Sequence, residues 1–243
     1  MTKQIPLGYK QTKVGIIPED WEVVKLGDIG KSIIGLTYSP DDVVDKNTGT
    51  LVLRSSNIQN NKLTYLDNVY VNKKLKSSDL TQPNDILICA RNGSQNLIGK
   101  CAYISKEHSG TAFGAFMSIY RSKYNPYIFQ FFQTNAYKKM VTTNLGATIN
   151  QITSKDLNAF KLPFPPLKEQ EKIAEILSTW DDAIAKQEQL IEQKQVFKKG
   201  IMQQLFSQKL RFKGDNSNDY PAWDYLELSD LLTYKQPTKY LVS

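Results

Sequence analysis

No proline occurs between Pro166 and Pro221, and from Leu167 to Leu205 apolar residues return in steps of three and four. The series is Ile173, Ile176, Leu177, Trp180, Ala183, Ile184, Leu190, Ile191, Phe197, Ile201 and Leu205, with charged residues between. A helix over this stretch would run roughly 60 Å at ~1.5 Å per residue. That exceeds most globular helices, and the apolar edge is as narrow as a coiled-coil seam. Such a rod needs a partner. The residues expected to pair are Ile176, Trp180, Ile184, Leu190, Phe197 and Ile201. Gln187 and Lys194 interrupt the seam. They read either as local drift or as polar positions that select register and partner number at some cost in stability. Gly200 is a weak point, because Gly inside a helix costs about 1 kcal/mol relative to Ala. Ahead of the helix, Leu162–Pro166 carries three prolines, which hold the chain extended.

The rest of the chain divides around this element. Three regions are expected: 1–160 as a head domain, 161–208 as an extended lead-in with a long helix that pairs, and 209–243 as the incomplete start of a second domain. With 40% hydrophobic residues, the chain can bury a substantial core. Its charge is distinctive. Residues 1–166 hold 20 Lys and Arg against 12 Asp and Glu, a net of +8, whereas residues 167–208 hold 6 against 7. The positive excess therefore sits on the first part, as expected for a head that meets a polyanion, followed by a nearly neutral rod that meets protein. A basic surface kept for solubility is the competing explanation. No apolar run approaches the ~20 residues of a membrane span. The start, MTKQIPLGYK, lacks the apolar core of a signal peptide, so a cytoplasmic location is expected. Cys89 and Cys101 are too few for a disulfide scaffold and lack metal-ligand spacing; Cys89, inside the apolar run Ile86–Ala90, reads as a buried small residue.

The chain also repeats itself. Pro18 and Trp21 lead to Leu26, Asp28 and Ile29; Pro221 and Trp223 lead to Leu228, Asp230 and Leu231. From each Trp, the Leu stands at +5, the Asp at +7 and a branched aliphatic at +8. One unit followed by the opening of another is the expectation, a duplication of a whole domain rather than a solenoid.

Between these marks, 30–160 reads as α+β. Apolar runs at Thr50–Arg54, Asp85–Arg91, Cys101–Ser105 and Ala115–Arg121 have strand character and are separated by polar turns. Tyr127–Thr142 has helical spacing and is expected to pack on the sheet they form. Three polar segments stand out: Arg54-Ser55-Ser56-Asn57, Arg91 to Asn96, and Gly146 to Gln151. Arg takes both guanine acceptors in the major groove, and Asn or Gln pairs with adenine. Ser, Lys and free backbone N–H groups suit phosphate oxygens. Gly93 would allow close backbone approach, as would Gly99-Lys100. The candidate DNA contacts are Arg54, Asn57, Arg91, Asn92, Ser94, Asn150 and Gln151. Each competes with a plain turn, since Asn-Gly pairs are common hairpin residues.

Catalytic parts are wanting. The single histidine, His108, lies in a polar stretch that reads as an exposed turn. No Walker loop or spaced dinucleotide fingerprint occurs. Pro165-Pro166 lacks the preceding Asn or Asp and the following aromatic that amino-methyltransferases use to hold a flipped base. Asp41-Asp42 and Asp181-Asp182 have no metal-binding company. No metal and no enzyme activity of the chain's own is expected.

These residues together resemble the specificity (S, HsdS) subunits of type I restriction–modification systems. The resemblance rests on Gly15–Trp21 with Leu26-Gly27-Asp28, on Leu53–Ile58, on Asp85–Ile88 with Arg91–Ser94, and on Ile98-Gly99-Lys100. It continues in Thr148–Ile152, in Leu162-Pro163 with Pro165-Pro166-Leu167, and in Glu169, Gln170, Ile173, Ala174 and Leu177. It implies a target recognition domain with a mixed or antiparallel sheet plus helices, followed by a long coiled-coil-forming helix. Subunits of this family carry two such domains, each reading half of a bipartite double-stranded DNA site, with paired antiparallel helices setting the spacing. Modification (M) subunits then methylate adenine at N6 with S-adenosylmethionine, and restriction (R) subunits add ATP-driven cleavage. S-adenosylmethionine, ATP and Mg2+ belong to those partners, and the S subunit supplies sequence choice alone. With one recognition domain and one long helix, this chain implies a half-length S protein, naturally short or truncated, acting as a homodimer through Leu167–Leu205 on an interrupted palindrome. A free-standing DNA-binding regulator and a pure coiled-coil interaction protein are the alternatives.

Overall fold

The structure, a computed structural model, describes residues 5–145 and 150–235. It separates into two compact units, Met1–Asp182 and Ala183–Ser243.

The first unit is built outward from the strand Ile86–Cys89, whose four residues are all buried. A continuous apolar run of this kind suits a strand covered on both faces. It is a central strand of an antiparallel sheet in the order Cys101–Tyr103, Ile86–Cys89, Met117–Arg121, Lys31–Ile34. Because side chains alternate along a strand, Ile86 and Ile88 join one core cluster while Leu87 and Cys89 join another. The second cluster sits between this sheet and a smaller one, in which Thr50–Leu53 pairs parallel to Ala112–Phe113 and antiparallel to Val69–Val71. The α+β architecture read from the sequence is the architecture observed, with mostly antiparallel pairing.

The first cluster is closed by helices. Helix α1 (Leu26–Ile29) inserts Leu26, which is 1% exposed, beneath Tyr120, whose hydroxyl donates to the Leu26 carbonyl at 2.7 Å. The predicted Tyr127–Thr142 helix is two helices, α2 (Asn125–Phe132) and α3 (Asn135–Asn144). The interruption falls at Thr134, whose hydroxyl caps α3 by accepting from the Tyr137 N–H at 3.3 Å. The turn brings Phe132 and Tyr137 into a stack with centroids 4.3 Å apart, so the break lets both aromatics face the sheet. Gly99, expected at a ligand, is instead buried under α3 at φ +80°; a Cβ there would stand 2.8 Å from Val141. Its role is packing, and only glycine fits. Arg121 donates twice to Asp85, both bonds 2.7 Å, and Asp85 is almost fully buried.

Helix α4 (Ser154–Ala159) starts at a capping box in which Thr153 and Asp156 exchange hydrogen bonds. The proline-stiffened segment that follows is a strand, Lys161–Phe164, paired antiparallel to Glu22–Lys25. This pairing ties the start of the chain to the start of α5 (Leu167–Phe206). Trp21 Nε1 donates to Glu169 Oε2 at 2.9 Å, and Gln170 Nε2 to the Pro165 carbonyl at 2.7 Å. In the opening turns of α5 only Gln170 and Ala174 are buried, with Ile173 packed partly against the core. Gly200 lies inside the helix, facing open space.

In the second unit the repeat has a structural counterpart. Helix α6 (Leu228–Leu231) occupies the same offsets from Trp223 that α1 occupies from Trp21. The copies differ in burial: Leu228 is 74% exposed where Leu26 is enclosed. Trp223 meets Phe206 edge-to-face at 6.3 Å.

Candidate nucleic-acid interface

The polar segments read from the sequence lie far apart in the chain, and folding joins them. Asn92 Nδ2 donates to Ser55 Oγ at 2.9 Å, linking the first segment to the second. Asn150 Nδ2 donates to the Gly93 carbonyl at 3.0 Å, and the Asn92 N–H reaches the Asn150 carbonyl at 3.3 Å. Arg91 and Gln151 form an isolated antiparallel bridge, continued by Ile152 N–H to the Ala90 carbonyl at 2.8 Å. Gly146–Ile149, the rest of the third segment, lie outside the described residues.

The strand Ile86–Cys89 supplies the rigid base: its C-terminal extension delivers Arg91 to the surface, where the side chain is exposed. The guanidinium lies over the Phe116 ring, 5.0 Å from the centroid. The Phe116 carbonyl accepts from both Ala90 and Arg91 N–H groups, at 3.0 and 2.9 Å, which holds the aromatic in place under the cation. A cleft of about 360 Å³ opens beside them, with Ile34, Ala115 and Met117 as apolar lining and Arg91, Gln151 and Lys155 as polar lining. Asn92 Oδ1 accepts the Ser94 N–H at 2.9 Å, a side-chain turn that leaves Ser94 exposed. Donors that suit base edges and phosphates thus share one surface with an apolar cleft able to meet a thymine methyl or a sugar.

Two of the expected contacts have other duties. Asn57 is 0% exposed. Its Oδ1 accepts from the Arg54 N–H at 2.9 Å, and its Nδ2 donates to the Thr64 carbonyl at 2.9 Å and to Asn68 Oδ1 at 3.2 Å. It organises its own loop and cannot reach a ligand, so the expectation of DNA contact at Asn57 is corrected. Arg54 is half-exposed and ion-paired with Asp67 at 2.8 Å. A surface pair of this kind is weak, so Arg54 can exchange Asp67 for another anion. The residues that sequence reading missed are Phe116, Ile34 and Lys155. Phe116 and Ile34 are 58% and 63% exposed. An aromatic after Gly114-Ala115 at a tight turn is the available signal, and the Thr153–Asp156 capping box is the signal for Lys155 at a helix start.

Groups outside this surface are packed or hydrogen-bonded within the fold. His108 is half-buried rather than exposed, its ring 5.3 Å from Tyr65 and its Nδ1 2.9 Å from Ser105 Oγ. Burial pushes the Cys89 thiol up to about 11 and Cys101 up to about 12, away from thiolate reactivity. Among the described residues no cluster of His, Cys, Asp or Glu has metal-binding geometry. No helix among them is long and apolar enough to cross a membrane.

The candidate pairing residues of α5 lie on its open side. Ile176, Trp180, Ile184, Leu190 and Phe197 are all exposed and Ile201 is half-exposed, with Trp180 at 66%. The apolar edge is therefore open at these positions.

A family model for the type I restriction modification DNA specificity domain matches residues 18–195. The chain is similar to the type I restriction enzyme EcoKI specificity subunit of Escherichia coli strain K12, with 30% identity over 231 residues, covering 90% of this chain and 50% of that protein. It is similar to the StySPI specificity subunit of Salmonella potsdam at 29% identity over 229 residues, 90% of this chain and 49% of that protein. The chain thus spans about half the length of these curated relatives. In fold it resembles the HsdS subunit from Thermoanaerobacter tengcongensis, with a TM-score of 0.53 at 18% identity, over 73% of this chain and 41% of that one. It also resembles a chain from a structure of type I R-M complex assembly and conformational transition, with a TM-score of 0.55 at 19% identity, over 78% of this chain and 44% of that one. On a match that runs from the second strand of the first unit well into α5, the chain belongs to the type I restriction–modification DNA specificity family.

Proposed function

We propose that this chain is the sequence-reading component of a type I restriction–modification complex and performs no chemistry itself. The observation that carries the reading is the convergence of Arg91–Ser94, Ser55 and Asn150–Gln151 on one rigid surface of a basic unit. Arg91, Asn92, Ser94, Asn150, Gln151 and Arg54 are the DNA contacts of that reading, with Lys155 beside them. Two copies pair through the exposed edge of α5, so each copy reads one half of a bipartite double-stranded DNA site. Identical heads call for an interrupted palindrome. Modification subunits supply N6-adenine methylation with S-adenosylmethionine, and restriction subunits supply ATP- and Mg2+-dependent cleavage.

Co-expression with the modification subunit followed by genome-wide methylation mapping tests this. A split, symmetric motif carrying N6-methyladenine is expected, and the chain alone with S-adenosylmethionine should transfer nothing. A contiguous motif, an asymmetric one, or methyl transfer by the isolated chain would overturn the reading.

A further inference from the structure

We infer that Arg54 and Asp67 form a masked phosphate clamp, in which a backbone phosphate of DNA replaces the Asp67 carboxylate on the Arg54 guanidinium. The clamp rests on the function proposed above and deepens it. Arg54 holds the duplex rather than reading a base, and Asp67, so far without a role, sets how tightly it holds.

Arg54 Nη2 meets Asp67 Oδ2 at 2.8 Å, with the two side chains 35% and 65% exposed. Among the described residues, Arg54 Nε has no hydrogen-bond partner, so the pair lacks the fork of two bonds that makes an Arg–carboxylate contact strong. Nor does the loop depend on it. Asn57 Oδ1 accepts the Arg54 N–H at 2.9 Å, and Asn57 Nδ2 donates to the Thr64 and Asp67 carbonyls at 2.9 and 3.3 Å. The Thr64 N–H returns to the Asn57 carbonyl at 2.9 Å, and Asn68 Nδ2 donates to the Tyr65 carbonyl at 2.8 Å. The backbone presenting both partners is thus set from within, and the ion pair is a side-chain contact that can exchange.

Charge and position point to what it exchanges with. Residues 46–78 hold six Lys and Arg against one acidic residue, Asp67. That carboxylate lies on the arginine next to Ser55, which accepts the Asn92 Nδ2 bond at 2.9 Å, so the pair stands beside the Arg91–Ser94 loop. Arg91 is exposed, whereas Arg54 is half-enclosed with its Nε buried. The floor of the major groove lies about 8.5 Å deep, out of reach of a side chain whose stem is held in the protein. Phosphate oxygens lie at the groove edges, within reach of the guanidinium tip. Phosphates are alike at every step, so this contact fixes register and carries no sequence information. Asp67 is displaced whenever a duplex docks and therefore lowers affinity for all sequences alike.

The test uses the full chain purified with the modification subunit, a duplex carrying the motif found by methylation mapping, and an unrelated duplex of equal length. Asp67→Asn, Arg54→Gln and the double variant are titrated across a salt series. Asp67→Asn is expected to bind both duplexes about two- to fivefold tighter, the worth of a surface ion pair, with its unfolding midpoint unchanged. Its slope of log affinity against log salt should steepen by up to about one, the counterion released by one phosphate. Arg54→Gln should weaken both duplexes alike and flatten that slope, and adding Asp67→Asn to it should change nothing further. Unchanged affinity in Asp67→Asn overturns the clamp. Equal tightening with and without Arg54 also overturns it, making Asp67 a general repulsive charge. A loss confined to one base pair overturns it in favour of a base-reading role. Wild-type protein that binds both duplexes equally at every salt concentration overturns the function proposed above, and the clamp is then judged on the variants alone.

Discussion

Asn57 and Arg91 look equally suited to DNA on paper, and their surroundings separate them. Asn57 spends every amide donor and acceptor inside its loop, so Asn57→Ala orphans buried backbone groups. It should lower stability by about 1–3 kcal/mol in denaturant unfolding and leave the base preference of the folded protein unchanged. Arg91 is exposed and braced by Phe116. Arg91→Ala should keep the unfolding midpoint and cost about 1–3 kcal/mol at one base pair, read by competition binding with single-base-pair variants of the site. The Arg121–Asp85 pair is a third case. With Asp85 almost fully buried, Arg121→Ala strands a carboxylate and should cost roughly 3–5 kcal/mol. Chemical denaturation would show it; a loss under 1 kcal/mol would mean that water or another cation replaces the guanidinium.

Among elements, α5 was the most legible, because a long uninterrupted 3.6-residue period has few other interpretations; the expected Leu167–Leu205 became Leu167–Phe206. The helical spacing of Tyr127–Thr142 does not show where the stretch divides into α2 and α3, because Thr134 is an ordinary helix residue by composition. Its capping role appears only when Phe132 and Tyr137 must face the same core. The strand Lys161–Phe164 was read as extended, but its partner, Glu22–Lys25, is more than a hundred residues upstream and no local pattern names it. For α5 the expected outcome of Trp180→Glu/Phe197→Glu is a monomer by multi-angle light scattering at micromolar concentration. Both residues are exposed, so circular dichroism and the core of the first unit should be unaffected. Retention of a dimer would place the contact elsewhere.

At the scale of the whole molecule, global stability carries a pH signature. Burial raises the thiols of Cys89 and Cys101 from 9.0 to about 11 and about 12. Below pH 9.0 both folded and unfolded chains keep these protons, so the stabilisation is fully present and pH-independent. As pH rises from there towards 11 and 12, the unfolded chain ionises first and stability falls. Thermal melts at pH 8 and pH 10.5 should therefore differ more for wild type than for Cys101→Ala. Equal differences would assign the loss to the buried tyrosines, whose hydroxyls are also raised by burial.

What the amino-acid order determined by itself was periodic or categorical. The helix period, the buried Ile86–Cys89 run, the one-sided charge, the Trp-to-Leu repeat and the set of polar turns all depend on neighbours a few residues away. Tertiary structure alone decided which polar residues are enclosed and which stand on an accessible face. Asn57 and Asn92 have the same side chain in similar loops, but one is enclosed by Thr64 and Asn68 while the other reaches across to Ser55 on an accessible face. It also decided that Phe116 and Ile34 stand beside Arg91, because strands distant in sequence meet in one sheet, and that α4 brings Lys155 to the same cleft. Burial and proximity are sums over the whole packed chain, and no short window of sequence contains them.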